Sequence, residues 1–230
     1  MTVVIGHRWA AWHKLENTLS SFQAALDIWV DMIETDVWKI HDGSLVIFHD
    51  SLIDRIAQQS WYIYDFTSDD LKTIVLNNQE HILTLDAFLE WVQDKQVQIY
   101  FEIKQSDTAE EIYQKIHAIL PDNKYTVGSF FHHEIHILKN NHPSLTTGLL
   151  FEWSFDAIET YLDGSNADVI GIWFESCDDV LVNAINKAGK KVVFWTIDSD
   201  ADIKKSLLYK PRWIVSNFPD RVKNIITSQE

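Results

Sequence analysis

Seven residues in the first half of this 230-residue chain carry groups that phosphoryl chemistry uses. His7 and Arg8 follow the run 2–6. Glu34 and Asp36 lie two apart in the run 32–37. His49 closes the run 45–48, and Glu102 and Lys104 lie two apart at the end of the run 97–103. Each run reads as a strand, and strand alternation puts residues two apart on one face. Two like charges so close repel unless something positive binds between them. Carboxylates are hard oxygen ligands suited to Mg2+ or Ca2+, and no Cys/His cluster has zinc spacing. A divalent ion polarises a phosphoryl oxygen and neutralises charge as it develops. Arg8 and Lys104 suit the remaining phosphate oxygens, Arg as a planar fork and Lys as a point charge. His7 and His49 exchange protons near neutral pH, one as acid and the other as base.

Taken singly, each signal has a plainer reading. A lone Glu-x-Asp in a strand is usually a solvated edge, and a lone His after a strand usually bonds a loop. Their joint occurrence at three successive strand ends sets them apart. The other histidines, His13, His41, His81, His117, His132, His133, His136 and His142, lack such company and read as loop or surface residues. Cys177 reads as a small buried or half-buried apolar residue.

These groups need a scaffold that gathers strand ends. Short β-branched runs alternate with amphipathic stretches along the chain. Further strands are expected at 125–128, 146–151, 168–172, 191–196 and 213–215. Helices are expected at 16–28, with Leu19, Phe22 and Leu26 inward, and at 84–92, capped by Thr84. Others are expected at 108–120, 131–140, 155–162, 180–188, 201–208 and 220–226. Such alternation argues for a parallel sheet with crossovers. Treating the run after the Asp42-Gly43 turn as a local hairpin leaves about eight βα units, which favours a closed (β/α)8 TIM barrel. Catalytic groups of such barrels sit at the C-terminal strand ends. Residues 51–79 fit the rhythm least. They read as a small insertion after the second βα region, over the barrel mouth, with a short helix at 68–75. Its Trp61, Tyr62 and Tyr64 are expected to pack against the barrel. The whole chain, 1–230, reads as one domain.

Composition narrows the partners. Apolar residues make up 46% and charged residues 23% of the chain, which suits a soluble globular domain with an ordinary core. The net charge of −15 repels nucleic acid and anionic lipid surfaces. One cysteine cannot build a disulfide framework. No run approaches the ~18 apolar residues of a membrane span, and residues 1–8 lack the pattern of a secretory leader. The expectation is a soluble cytoplasmic protein without stable membrane insertion. Ten Trp against seven Gly is unusual, because Gly averages about 7% of residues.

Ordered motifs then point to a family. They are Ile5-Gly6-His7-Arg8, Glu16-Asn17-Thr18, Asp31-Met32-Ile33-Glu34-Thr35-Asp36-Val37, Asp42-Gly43, His49-Asp50-Ser51-Leu52-Ile53-Asp54-Arg55 and Phe101-Glu102-Ile103-Lys104. Val193-Phe194-Trp195-Thr196 and Ser216-Asn217-Phe218-Pro219-Asp220 follow late in the chain. Together they resemble the bacterial type of the glycerophosphodiester phosphodiesterase family, nearly end to end. The resemblance implies that His7 and His49 are the acid/base pair. It implies that Glu34, Asp36 and Glu102 hold the metal and that Arg8 and Lys104 contact phosphate. It gives Glu16 and Asn17 supporting roles, although Asn17 also suits a helix cap. It places Trp195 at the substrate mouth. The implied substrate is a small glycerophosphodiester, such as glycerophosphocholine or glycerophosphoethanolamine, cleaved to glycerol 3-phosphate and an alcohol in lipid metabolism.

Four positions depart from the pattern. Trp9 and Trp29 stand where the family has Gly, Leu15 where it has Pro, and Asn217 where it has Asp. Trp9 is placed to line or fill the substrate pocket. Two other readings follow. Trp9 and Asn217 motivate a catalytically impaired barrel that binds a phosphorylated ligand. Trp61, Tyr62 and Tyr64 motivate a lysophospholipid-directed phosphodiesterase.

Overall fold

The computed structural model describes residues 2–8, 14–57, 60–77, 79–155 and 157–228. In chain order the strands are β1 (Val3–Gly6), β2 (Met32–Lys39), β3 (Leu45–Ile47), β4 (Leu83–Thr84), β5 (Gln98–Ile103), β6 (Tyr125–Ser129), β7 (Thr146–Phe151), β8 (Val169–Trp173), β9 (Lys191–Trp195) and β10 (Trp213–Ser216). The helices are α1 (Leu19–Asp27), α2 (Asp54–Ala57), α3 (Ser68–Leu71), α4 (Leu85–Val92), α5 (Ala109–His117), α6 (His132–Asn141), α7 (Ile158–Asp163), α8 (Asp179–Lys187), α9 (Asp200–Leu208) and α10 (Pro219–Thr227).

Eight strands, β1, β2 and β5 to β10, run parallel, and β1 closes the ring by pairing with both β2 and β10. The fold is therefore the expected (β/α)8 barrel. β3 and β4 are antiparallel additions. β1 covers only the start of β2, at Met32 and Ile33. β3 pairs with the far end of β2, from Val37 to Lys39. The hairpin turns at Gly43, whose φ of 86° suits a residue without Cβ.

Two apolar layers hold the barrel. Outward strand residues such as Ile33, Ile99, Phe101 and Val127 pack under the helices with Phe22, Phe88 and Ile112. Inside, Ile5, Met32, Tyr100, Leu150, Val169, Val193, Trp213 and Val215 fill the lumen, so it is a packed core rather than a pore. Tyr100 shapes that filling. A Cβ added at Gly128 would lie 1.8 Å from the Tyr100 hydroxyl, so Gly at that strand position makes room for the phenol.

Several helices start where side chains satisfy free backbone N–H groups. Thr18, Thr84, Asp178 and Ser199 cap α1, α4, α8 and α9. α1 begins at Leu19, not at 16, because Thr18 forms a capping box with Ser21. Leu19 is consequently exposed, while Phe22 and Ala25 face inward. The expected helix at 68–75 is a single turn, α3.

The described residues between 51 and 76 build a second small core with the hairpin, around Trp38, Phe48, Ile53, Ile63, Leu71 and Ile74. Of the three aromatics expected to pack against the barrel, Tyr64 meets Trp38 of β2, but all three stay largely exposed. Trp61 is 61% exposed and Tyr62 45%, and Tyr62 stacks on Tyr64. Among the described residues, no helix is long and apolar enough to cross a membrane.

Candidate active site

Strand register brings the acidic residues together. β2 and β5 are neighbours, with Glu34 opposite Tyr100 and Asp36 opposite Glu102. Oxygens of Glu34, Asp36 and Glu102 lie within 4.8 Å of one another, which makes this trio a candidate metal site. Lys104, just past β5, reaches Glu102 at 2.6 Å and Asp36 at 3.5 Å. At the end of β1, the His7 N–H donates to the Ser216 carbonyl. Arg8 then turns through a left-handed φ of 49°, and its N–H donates to Glu34 at 2.8 Å. Its guanidinium lies 3.5 Å from Glu16 and 3.9 Å from Asp36.

His49 arrives by the hairpin rather than from a barrel strand. The antiparallel return sets Ile47 opposite Val37, and the Phe48 N–H bonds the Asp36 carbonyl. That brings His49 back to the level of the carboxylates. The Trp38 indole N–H fixes the turn by donating to the His49 carbonyl. The His49 Nδ1 donates to Asp50 at 2.6 Å, and Arg55 binds the other Asp50 oxygen and both oxygens of Glu16. Glu16, His49 and Asp50 also cluster closely enough to hold an ion, but the Arg55 guanidinium already supplies the positive charge there. Asn17 donates to Asp36 and accepts from Thr35, both buried contacts. Thr18, not Asn17, caps α1, so the plainer reading of Asn17 does not hold.

His7, Arg8, Glu34, His49, Glu102 and Lys104 line one cavity of roughly 380 Å³, whose other wall includes Phe130, Leu150, Glu152 and Trp195. A second cavity beside it shares His49, Glu102, Lys104 and Phe130 and runs along Trp38, Asp50 and Arg55. Asp36 lies beneath the first cavity, fully buried.

The glycerophosphoryl diester phosphodiesterase family model matches residues 6–221. The chain belongs to this family. A glycerophosphodiester phosphodiesterase of Caldanaerobacter subterraneus subsp. tengcongensis is 26% identical over 98% of each chain. Among solved structures, a phosphodiesterase of Oleispira antarctica in complex with the product sn-glycerol-3-phosphate superposes with a TM-score of 0.89, at 24% identity, over 99% of this chain and 97% of that one. A glycerophosphodiester phosphodiesterase of Thermotoga maritima superposes with a TM-score of 0.81, at 22% identity, over 99% and 98%.

Electrostatics in this phosphodiesterase barrel fit a cation among the three acids. Burial, then repulsion from Asp36 and Glu102, pushes Glu34 well above the ordinary carboxylate range. Burial raises Glu102 too, against the pull of Lys104. Burial also opposes ionisation of Asp36, but Lys104, His49 and Arg8 outweigh it and hold its carboxyl low. Asp36 Oδ1 is buried and accepts no hydrogen bond. An all-oxygen set with an unsatisfied buried oxygen fits a hard divalent cation. Burial works against the Lys104 charge, yet Glu102 and Asp36 keep it above its usual value. Burial, then the charge of Arg8, lowers His7 to about 4.

The sequence departures now have positions. Trp29 follows α1 with φ 58° and is 81% exposed. Its N–H bonds the Leu26 carbonyl and the Val30 N–H bonds the Ala25 carbonyl, a Schellman ending whose left-handed residue is usually Gly. Asn217 accepts from His7 Nδ1 at 2.9 Å. Trp9 and Trp12, like His13, lie outside the described residues. Trp195 lines the cavity, and its buried indole N–H has no partner. Sequence reading missed the roles of Asp50 and Arg55, although their spacing from His49 was in view. It also missed Tyr100, Phe130, Leu150, Glu152 and Asp198, which no local signal marks.

Proposed function

We propose that the protein hydrolyses small glycerophosphodiesters to glycerol 3-phosphate and an alcohol, with His7 and His49 as the acid/base pair. The observation that carries this reading is one cavity lined by both histidines, by Arg8 and Lys104, and by Glu34 and Glu102, with Asp36 beneath. Glu34, Asp36 and Glu102 would hold Mg2+ or Ca2+. Such an ion polarises a phosphoryl oxygen and offsets charge on it. Arg8 and Lys104 bind the remaining phosphate oxygens and fix the phosphorus between the rings. One ring takes the proton of the attacking oxygen, and the other protonates the departing alcohol oxygen. Asp50 orients His49 and balances its charge when protonated. Glu16 and Asn17 support the site through Arg55 and Asp36. Trp195, with Phe130 and Leu150, forms the apolar wall for a substrate arm. Residues 51–79 act as an insertion beside the mouth of a single barrel domain. Cytoplasmic action belongs to the same reading, since one cysteine requires no oxidising compartment.

The test is release of glycerol 3-phosphate from glycerophosphocholine by EDTA-treated protein, with and without added Mg2+ or Ca2+. Turnover should need the ion and fall by about 10²–10⁴-fold in His7→Ala and His49→Ala. Metal-independent turnover, or full activity without His7, contradicts the mechanism. The exposed Trp61, Tyr62 and Tyr64 support one competing reading. Faster turnover of lysophosphatidylcholine than of glycerophosphocholine would favour a lysophospholipid-directed enzyme.

A further inference from the structure

A carboxylate outside the cavity lining reaches His7 through one amide. Asp198 lies three residues past β9, and Asn217 directly follows β10. Asp198 Oδ1 accepts from the Ser216 hydroxyl at 3.0 Å and from the Asn217 N–H at 2.8 Å. Asp198 Oδ2 accepts from Asn217 Nδ2 at 2.7 Å. Asn217 Oδ1 faces His7 Nδ1 at 2.9 Å. We propose that Asp198 is a positioning residue that fixes His7 as its Nδ1–H tautomer, acting through the Asn217 carboxamide.

The inference follows from donor and acceptor capacity alone. An ionised carboxylate only accepts hydrogen bonds, so the amide NH2 of Asn217 must face Asp198. Its carbonyl oxygen must then face His7. A carbonyl oxygen also only accepts, so His7 Nδ1 carries the hydrogen. Neutral imidazole has one N–H, which leaves Nε2 with its lone pair. His7 lines the cavity, and that lone pair serves a proton acceptor. Without Asp198 the two ends of the Asn217 amide are nearly interchangeable. A flipped amide would present NH2 to Nδ1, move the hydrogen to Nε2 and block proton acceptance. Asn at 217 thus keeps a defined function where the family more often has Asp, provided that Asp198 stands behind it.

The inference rests on His7 being a proton-transfer group, and its readout needs no turnover. The full chain is labelled with 15N-histidine, and a long-range proton–nitrogen correlation spectrum at neutral pH reads both His7 ring nitrogens, assigned with His7→Gln. The wild-type ring should be protonated at Nδ1. In Asp198→Asn the amide of residue 217 should flip, the hydrogen should move to Nε2, and kcat on glycerophosphocholine should fall by up to about 10⁴-fold, the scale of a wrong-tautomer histidine. KM should stay within about twofold, because ground-state binding is untouched. The swap Asp198→Asn/Asn217→Asp reverses the donor and acceptor of the side-chain bond between 198 and 217 and leaves a carboxylate oxygen of residue 217 to accept from His7 Nδ1. It should return the hydrogen to Nδ1 and recover most of the lost kcat. A wild-type ring protonated at Nε2, an Asp198→Asn ring still protonated at Nδ1, or a folded swap variant that keeps the Nε2–H form overturns the proposal. If Asp198→Asn fails to fold, the wild-type and swap spectra decide.

Discussion

Asp50 gives His49 a carboxylate partner at 2.6 Å, whereas Asn217 gives His7 a neutral one at 2.9 Å. The two rings therefore differ in what they stabilise. Replacing Asp50 by Asn removes the charge that balances protonated His49, and kcat should fall by about 10²-fold or more, read in steady-state kinetics against an unchanged circular-dichroism spectrum. The depressed pKa of His7 makes a stability prediction with a definite sign. In the folded chain His7 stays neutral down to about pH 4, while in the unfolded chain it takes a proton from about 6.5 downward. Between those values the unfolded state binds more protons, so stability falls as pH falls through the window. The effect reaches at most about 3 kcal/mol at the acid end. Urea unfolding of metal-free wild type should lose that increment from pH 7 to pH 4 relative to His7→Gln, and equal pH dependence would contradict it. The seven charged or imidazole groups were legible because their types are chemical and their spacing matches a strand. Arg55 on Glu16 and Asp198 on Asn217 join residues 39 and 19 positions apart, and such contacts exist only once the barrel closes.

At the scale of elements, the β2–β3 hairpin does what no barrel strand does. It folds His49 back onto the level of Asp36. The hairpin was readable from Asp42-Gly43 and the apolar runs beside it. The start of α1 was not, because the capping box of Thr18 closes with Ser21 rather than with the Glu or Gln that marks such a box in sequence. α3 stops after one turn although 68–75 carries a helical pattern, because Ile74 and Leu76 bury in the second core from a non-helical path. The end of α1 carries a testable cost. Trp29 holds a left-handed conformation that costs an L-residue roughly 1–2 kcal/mol, and its side chain is exposed. Trp29→Gly relieves that strain but loosens the unfolded chain. The net gain should be about 0.5–1 kcal/mol in urea midpoint measurements, and a loss of stability would contradict the Schellman assignment.

At the scale of the molecule, closure of the eight-stranded ring converts a linear series of strand ends into one rim. The alternation of strands and helices made that closure readable. The filling of the lumen was not, because it depends on which inward side chains meet at one height. Tyr100 fills the space that Gly128 leaves. Gly128→Ala should therefore destabilise the whole fold by about 1–3 kcal/mol through overpacking, measured by thermal or urea unfolding, and the Tyr100→Phe/Gly128→Ala pair should recover part of it. Two buried carboxylates and a half-buried third on one rim make the metal-free barrel electrostatically strained, so a bound cation should stabilise it by mass action. Calorimetric titration of Mg2+ or Ca2+ into EDTA-treated protein measures this directly. One ion per chain should bind saturably, and Asp36→Asn and Glu102→Gln should each weaken it at least about 10-fold. Absent saturable binding, or wild-type affinity retained in both variants, would contradict convergence of Glu34, Asp36 and Glu102 on a cation.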